Sequence, residues 1–495
     1  MAKTFISPAS IAIALSLVSL VLAVPDDVAA SSTHDPIMIK GNHDLTAANG
    51  ITGGSGTADD PYIIEGWQIT AATTPGIQII GTSAYLVIKN ISIQGSAPTP
   101  SGPRGGIYLE RVSNAEIDNV EVTMCWMGIF AYMANHVVIK GCIAHDNGMG
   151  IRLTWSKDVT IEGNTVFSNW MNGIGVAASR DCVVRGNMMS ENGAGLDLQG
   201  SASITVSGNV FTQDGITISG TKLSEFDSHS ITTDNIVGGL PVYYFTGLQA
   251  VNIEGLQAGE IIVVGCEGVR LDRLTLTGSS MGVEIAFCEW VSLVFCDFLN
   301  NHRGLYITES QSVSVMVCNF TGNSIGASIS SSESILVQDC RFIDNLGEGL
   351  AVFISSDVRV QFSTFTDNDW ALSLSECSDG FVSANNITAN NLAIYLGSCS
   401  KTTVAGNDIT QSTWLGMQIW GGKKVIIYQN NFIGNGVHVT VYDPGDIAWN
   451  SDWGFGNYWD DYSGTDANND QIGDTPYVID SDNQDDYPCM FPIIW

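Results

Sequence analysis

Apolar and polar residues alternate along most of this chain, in short runs that begin again about every 22 residues. Each repeat opens with Gly or Ala followed by an apolar-x-apolar pattern, such as GIYL at 106, GIFA at 128 and GIRL at 150. This alternation predicts a β-strand with one face turned inward. Two further short alternating runs follow in each repeat, separated by Gly, Asn, Asp and Ser, which predict tight turns. No repeat shows a helical period.

Equal offsets in successive repeats carry matching residue types. One column has Asn at 164, 187 and 209, and another has Phe at 298, 320, 342 and 365. Adjacent strands lie ~4.8 Å apart, so stacking one turn on the next places these side chains above one another. We therefore predict an all-β fold, a right-handed single-stranded parallel β-helix with three short strands per rung and about fifteen rungs.

The repeat divides the chain into four parts, residues 1–30, 31–105, 106–439 and 440–495. The first has the pattern of a secretory signal peptide, with Lys3 before an apolar run, so we expect no membrane span after its cleavage. An uncleaved anchor is the alternative for this segment. The second is predicted to be an N-terminal cap with the first irregular rungs. The third is the β-helix, with an irregular insert at about 215–259. The fourth is rich in Asp, Trp and Tyr, and predicts a C-terminal cap over the last rung.

The net charge restricts the classes of molecule that this protein can bind. The net charge is −32, with 19 Lys and Arg, which argues against nucleic acid, because its binding depends on basic patches. Cations, neutral glycans or a basic surface fit better.

Nine of the eleven cysteines occupy inward columns where other repeats have Ser, Asn or Val, so we predict buried free thiols. Pairing of stacked neighbours such as Cys377 and Cys399 in an oxidising compartment is the alternative.

Three segments resemble NosD-like right-handed β-helix proteins: GTADDPYIIEGW near the N-terminus, GGLPVYYF in the insert and GNYWDDYSGTDANNDQIGDTPYVID in the tail. The tail is the most specific of the three. The resemblance implies a secreted or surface protein, of a group common in archaea whose repeats occur in carbohydrate-binding and sugar-hydrolase β-helices. The family name comes from a factor linked to copper delivery for nitrous oxide reductase, so the resemblance also implies copper handling as an alternative function.

The tail predicts a calcium site. Oxygen ligands recur at alternate positions in Asp466, Asn468, Asp470, the Ile472 carbonyl and Asp474. Ca²⁺ takes about six to eight oxygen ligands, which suits this spacing. The loop departs from a full EF-hand, with Gln471 in the place of Gly and Tyr477 in the place of the final Glu. A solvated acidic loop is the alternative.

Aromatic side chains at outward strand positions predict a glycan-binding face, because exposed rings stack on sugars. The predicted face consists of Tyr108, Phe130, Tyr132, Arg152 and Trp155. Packing of outer turns or self-association is the alternative for these residues.

Catalysis on a polysaccharide would need converging carboxylates. The nearest set is His145, Asp146, Arg152 and Asp197, although Gly175 separates Arg152 from Asp197.

Copper would favour thioether and thiol ligands. Met127, Met149 and Met171 share one column, but this column is apolar in other repeats, which favours an apolar stack.

The favoured interpretation is a secreted or cell-surface β-helix protein that binds polysaccharide or other cell-envelope material without chemistry. The alternatives are a lyase, hydrolase or epimerase acting on polysaccharide, and a NosD-like copper-handling maturation factor. Calcium is the expected cofactor, and copper is the less favoured one.

Overall fold

The computed structural model describes residues 32–100, 105–250, 252–443 and 445–494. The expected signal peptide at 1–30 lies outside the described residues. The described chain is a β-solenoid of about 17 turns built from parallel sheets, which confirms the predicted fold and extends the expected fifteen rungs slightly. Its helices are short and comprise Asn42–Asp44, Ala47–Asn49 and Ser224–Asp227. In this part of the chain no helix is long and apolar enough to cross a membrane.

The first solenoid segment spans residues 32–237. Its front sheet contains eight parallel strands, namely Ile37–Lys40, Ile77–Ile80, Ile107–Glu110, Met127–Tyr132, Met149–Thr154, Asn172–Ala177, Ala194–Gln199 and Ile216–Ser219. Its other two faces contain Ser32–His34, Tyr62–Glu65, Trp67–Ala71, Leu86–Gly95, Ser113–Thr123, Asn135–Lys140, Ile143–His145, Lys157–Glu162, Thr165–Phe167, Val183–Arg185, Met188–Ser190, Thr205–Ser207, Val210–Thr212, Ser230–Ile231 and Ile236–Val237.

The second solenoid segment spans residues 240–459 and has three separate sheets. Its front sheet contains Leu240–Thr246, Glu260–Val264, Met281–Ala286, Arg303–Thr308, Ile325–Ser330, Glu348–Phe353, Trp370–Ser375, Leu392–Gly397, Leu415–Trp420 and Val437–Asp443. The next face contains Asn252–Glu254, Arg270–Asp272, Ser292–Val294, Gln311–Met316, Glu333–Gln338, Ser356–Gln361, Phe381–Ser383, Thr403–Ala405, Lys423–Tyr428 and Asp446–Ala448. The third contains Thr275–Thr277, Asp297–Leu299, Asn319–Thr321, Arg341–Ile343, Thr364–Thr366, Asn386–Thr388, Asp408–Thr410, Asn431–Ile433 and Tyr458–Trp459.

The expected insert at about 215–259 is the place where one front sheet ends and another begins. Strand Ile216–Ser219 is the last of the first front sheet, and an antiparallel pairing of Val237 with Leu240 leads into the second segment. Each segment has its own hydrophobic core. Four outward side chains of the second front sheet join the first core, which closes its open end with apolar surface: Val242, Ile262, Val264 and Ala286.

The predicted columns are confirmed. Asn164 donates from Nδ2 to Asn187 Oδ1 at 2.9 Å, and Asn187 makes the same bond to Asn209. In the second segment four Phe rings stack with centroids 4.7 Å apart and near-parallel planes, namely Phe298, Phe320, Phe342 and Phe365. These stacks repeat because every strand pairs with the strand one turn later, so equal offsets lie at the strand spacing.

The cysteines are unpaired in the structure. Ten of them are buried and Cys489 is half-buried. Their interior positions agree with the predicted columns, and burial raises the pKa of the Cys142 thiol to about 12. They therefore pack as small core residues.

Residues after Trp459 cover the last turn. Trp459 continues the Phe column, because its ring lies 4.4 Å from Phe432 on one side and 4.2 Å from Tyr477 on the other. Tyr477–Val478 and Gln484–Asp485 form an antiparallel pair. Asp485 accepts hydrogen bonds from the Asn457 backbone N–H at 2.7 Å and from Trp459 Nε1 at 3.0 Å. This carboxylate therefore ends the Asn column, where no further rung supplies an acceptor.

Candidate functional site

The predicted glycan-binding face lies on the first front sheet and the turn that follows it. Tyr108 and Phe130 stack with ring centroids 5.3 Å apart, and Tyr132 packs against Phe130 at 6.2 Å. The expectation that these rings are exposed is wrong for Tyr108 and Phe130, which are 5% and 8% exposed, because rings on successive rungs cover one another. Trp155 is 63% exposed and Tyr132 is partly exposed, so they form the accessible part of this face.

Arg152 crosses one rung to reach Asp197. Its Nη1 atom lies 3.7 Å from Asp197 Oδ2, and Nη2 donates to Gln199 Oε1 at 3.0 Å. A Cβ atom on the intervening Gly175 would lie 2.5 Å from Arg152 Nη1. The expectation that Gly175 keeps the two residues apart is therefore wrong, because the missing side chain makes room for the guanidinium. Burial raises the pKa of Asp197, and the charge of Arg152 partly offsets this.

His145 and Asp146 form a different pair on another face. His145 Nδ1 lies 2.8 Å from Asp146 Oδ2, Nε2 lies 3.4 Å from Glu121 Oε1, and the ring stacks on Phe167 at 4.8 Å. Within the described ranges, no hydrogen bond or ion pair connects His145 or Asp146 to Arg152 or Asp197. The four residues expected for catalysis therefore form two separate pairs.

Two buried carboxylates connect the solenoid segments, and the sequence analysis did not select them as functional. Glu260 accepts a hydrogen bond from the Ile216 N–H at 3.0 Å, and Glu284 Oε2 accepts one from the Ile218 N–H at 3.1 Å. These N–H groups belong to the last strand of the first front sheet, so the carboxylates replace a missing strand. Burial raises the pKa of Glu260 well above its ordinary value and that of Glu284 to about 8.

The second front sheet carries an outward column of small side chains bordered by rings, which we call the aromatic trough. Its floor is formed by small, buried side chains, Ser328, Ala351 and Ser373, which pair on successive rungs. Partly exposed rings border this floor, namely Tyr306, Phe353, Trp370, Tyr395 and Trp420. The larger residues beside these small side chains shield them from solvent.

Ring contacts fix the sides of the aromatic trough. Trp370 and Tyr395 lie 5.3 Å apart between centroids, and Trp420 stacks on Tyr442 at 5.2 Å. At the opposite end the Arg303 guanidinium lies 5.0 Å from the Tyr306 ring centre. Such contacts restrict the rings to few rotamers, so less entropy is lost when a ligand stacks on them.

The five residues expected to bind calcium lie in an exposed loop whose carboxylates accept local hydrogen bonds. Asp466 accepts from the backbone N–H groups of Asp470 at 3.1 Å and Gln471 at 3.0 Å. Asp474 accepts from the Ala467 N–H at 2.8 Å. Asn468 Nδ2 donates to Asp470 at 2.9 Å. These bonds hold the loop in shape, and calcium binding there stays a prediction.

One convergent group of possible metal ligands is found in the part of the chain that the structure describes: His438, Asp460 and Asp461. His438 Nε2 lies 2.9 Å from Asp460 Oδ1 and 3.4 Å from Asp461 Oδ1. The group lines a cavity of about 500 Å³ between strand Val437–Asp443 and the segment that follows Trp459. Sequence analysis missed it, because His438 lies at the end of the repeats and the two Asp residues lie in the tail.

The parallel strands, stacked Asn and Phe columns and closing C-terminal segment define a right-handed β-helix protein. Residues 75–235 match the family model described as right handed beta helix region. Residues 258–464 match the family model described as periplasmic copper-binding protein (NosD). The chain thus carries a right-handed β-helix region followed by a NosD domain, which confirms the resemblance seen in the sequence.

Solved structures resemble the chain at low sequence identity. A mannuronan C-5 epimerase A-module from Azotobacter vinelandii is 13% identical, with 85% of this chain and 90% of that chain covered and a TM-score of 0.23. A DFA-IIIase from Arthrobacter chlorophenolicus A6 is 12% identical, with coverage of 83% and 80% and a TM-score of 0.24. Scores this low carry no information about function. No curated protein matches the chain.

Soft copper ligands are scarce in the NosD-matched segment. Cu(I) prefers thiolate and thioether ligands. Among the described residues of this segment every cysteine is buried, Met281 and Met417 are buried, and Met316 alone of the methionines is partly exposed. Met127 and Met149 pair on adjacent rungs, but they precede the segment. The residues present therefore do not fit a surface Cu(I) site in the matched segment.

Proposed function

We propose that this protein is an extracytoplasmic β-helix that binds a neutral glycan, or similar cell-envelope material, in the aromatic trough and does no chemistry on it. The periplasmic description of the NosD family supports the location. The net charge of −32 favours a neutral ligand, because an acidic polysaccharide would be repelled.

The aromatic trough is the observation that carries this proposal. From Tyr306 to Tyr395 it spans four rung spacings, or ~19 Å, which is long enough for a short oligosaccharide. Rings at both ends and along the sides offer apolar faces for sugar rings. An elongated, preformed surface of this kind suits an extended chain better than a small compact ligand.

The face predicted from the sequence contributes a second contact area. Tyr132 and Trp155 are its accessible rings, and Arg152 and Gln199 supply hydrogen-bond donors and acceptors beside them. It belongs to the first segment, whereas the aromatic trough belongs to the second. We therefore propose the trough as the main site and this face as an extension for longer chains.

The partners and burial of the carboxylates support binding without catalysis. Asp197 is ion-paired with Arg152, and His145 is held between two carboxylates on another face. Glu260 and Glu284 are fully buried and accept backbone hydrogen bonds. A glycosidase needs two carboxyl groups on either side of one bond, and none of these pairs offers that arrangement to an exposed ligand.

The test is affinity electrophoresis and glycan-array binding of the full chain, with a reducing-end assay on each glycan bound. We expect Tyr395→Ala and Trp420→Ala each to weaken binding about tenfold, which corresponds to about 1.4 kcal/mol of lost stacking. Trp155→Ala should weaken binding of long chains only. No new reducing ends should form.

The matched control is Phe362→Ala. Phe362 is an exposed ring of the second segment, but it lies at the turn between the other two sheets. Equal loss in Phe362→Ala and Trp420→Ala would contradict the trough as the site. If new reducing ends or unsaturated products formed in the presence of the protein, its function would be catalysis and the proposal of binding alone would be wrong.

A further inference from the structure

The cavity between the last turn of the second segment and the C-terminal segment contains a histidine beside two adjacent carboxylates. His438 is 8% exposed, and its Nε2 atom points to the side where Asp460 and Asp461 converge. Phe432 and Trp459 back the imidazole with ring centroids 6.1 and 6.0 Å away. We propose that His438, Asp460 and Asp461 bind a borderline divalent transition-metal ion, with Zn²⁺ as the reference ion.

The distances between the ligand atoms support a common ion. Bonds of about 2.1 Å from a metal to N and O ligands place neighbouring ligands roughly 3.0 to 3.4 Å apart. His438 Nε2 lies 2.9 Å from one carboxylate oxygen and 3.4 Å from the other. All three ligand atoms lie within 4.8 Å of one another. An ion can therefore enter with small side-chain movements.

Each carboxylate is held through its second oxygen. Asp460 Oδ2 accepts a hydrogen bond from the Gly434 N–H at 2.7 Å, and Asp461 Oδ2 accepts one from the Tyr477 hydroxyl at 3.3 Å. Oxygen Oδ1 of each residue is thereby directed to the imidazole. Partners of this kind orient ligands in metal sites and raise affinity. The arrangement is more specific than a cluster of exposed acidic groups.

Hydrogen bonds orient the imidazole in the metal-free form. Asn435 Nδ2 lies 3.3 Å from His438 Nδ1, and the Asn435 side chain is fixed by bonds of 2.9 Å with Ser412 and Ile409. Nδ1 therefore faces the Asn435 amide, and Nε2 faces Asp460. An ion in the site is bound by Nε2 and neutralises the two carboxylates.

The ligand set selects the class of ion. One imidazole nitrogen with two carboxylate oxygens suits Zn²⁺ and similar divalent ions, whereas Ca²⁺ takes oxygen ligands only and Cu(I) prefers sulfur. The cavity of about 500 Å³ leaves coordination positions open to water or to a small ligand. Three protein ligands with an open position are typical of reactive metal sites.

The experiment uses the full chain, freed of metal by a chelator and titrated with Co²⁺, whose visible absorption reports nitrogen and oxygen ligation. Zn²⁺ is then added to displace Co²⁺. We expect one equivalent of Co²⁺ to bind and to be displaced by Zn²⁺. His438→Gln and Asp461→Asn should each weaken binding by at least about tenfold.

The control is the double variant Asp466→Asn with Asp470→Asn, which alters the acidic tail loop and should leave the Co²⁺ spectrum unchanged. Asp461 is 60% exposed, so Asp461→Asn decides the question if His438→Gln fails to fold. Unchanged binding in Asp461→Asn would overturn the proposal, as would loss of the spectrum in the tail-loop variant. Absence of one-to-one binding in the unaltered chain would also overturn it.

Discussion

Glu284→Gln tests whether a buried carboxyl group joins the two solenoid segments. Glu284 is fully buried and accepts a hydrogen bond of 3.1 Å from the Ile218 N–H, in the last strand of the first front sheet. Glutamine keeps an acceptor oxygen of the same size at this position but cannot ionise. The variant therefore retains the hydrogen bond and removes the titration.

The size and sign of the effect follow from the pKa. Burial raises the pKa of Glu284 to about 8 from its ordinary value of 4.5. The folded protein holds this proton more tightly than the unfolded chain, so the stabilisation is fully present below pH 4.5 and is lost as the pH rises toward 8. A shift of one pKa unit corresponds to about 1.4 kcal/mol of folding free energy. Roughly 5 kcal/mol of stability is therefore lost between the two pKa values, and about 3 kcal/mol of this is lost above pH 5.5.

Hydrogen exchange of the junction strands measures this loss directly, because a solenoid couples mainly to its nearest neighbours and opens locally. The peptides to follow cover Ile216–Ser219 and Met281–Ala286, at pH 5.5 and 8.5, corrected for the intrinsic exchange rate. In the unaltered protein the free energy of opening should fall by about 3 kcal/mol more than in Glu284→Gln. Glu260 remains in both proteins, but the charge of Glu284 adds to the raised pKa of Glu260, so part of the difference between the two proteins arises through Glu260.

Glu309→Gln is the control, because Glu309 is an exposed residue of the same segment. Its pH dependence should equal that of the unaltered protein. If Glu284→Gln also shows an unchanged pH dependence at the junction, the carboxyl group is not neutral in the folded state and the reasoning is refuted.

Three further predictions concern the core, the thiols and the tail. Phe342→Ala removes a central ring of the Phe column and should lower the free energy of unfolding by about 3–5 kcal/mol in chemical denaturation, whereas the exposed Phe362→Ala should change it little. The ten buried thiols should react with a thiol reagent only after denaturation, and reaction of four or more in the native protein would contradict their burial. Calcium at about 100 times its Kd should protect residues 440–495 by ~2.7 kcal/mol in hydrogen exchange, and Asp470→Ala should abolish the protection. Equal protection with and without chelator would mean that the tail loop binds no calcium.

The repeat could be predicted from the sequence because it depends on neighbours along the solenoid axis. Each residue of a strand faces the residue about 22 positions later, so the spacing alone brought Asn164 over Asn187 and Phe320 over Phe342. The interior position of the cysteines followed for the same reason. These contacts need only that the turns stack, and the alternating pattern is sufficient for that.

Contacts between residues that are not one repeat apart depend on the tertiary structure. Glu284 contacts Ile218, which lies 66 residues earlier in the chain, because the second front sheet covers the end of the first. Arg152 reaches Asp197 because Gly175 offers no side chain, and the outward rings of Tyr108 and Phe130 are buried by each other. The repeat specifies which residues stack along the axis. The angle between segments, the outer rotamers and the path of the tail toward His438 depend on packing of surfaces that share no common period, and sequence spacing carries no information about such packing.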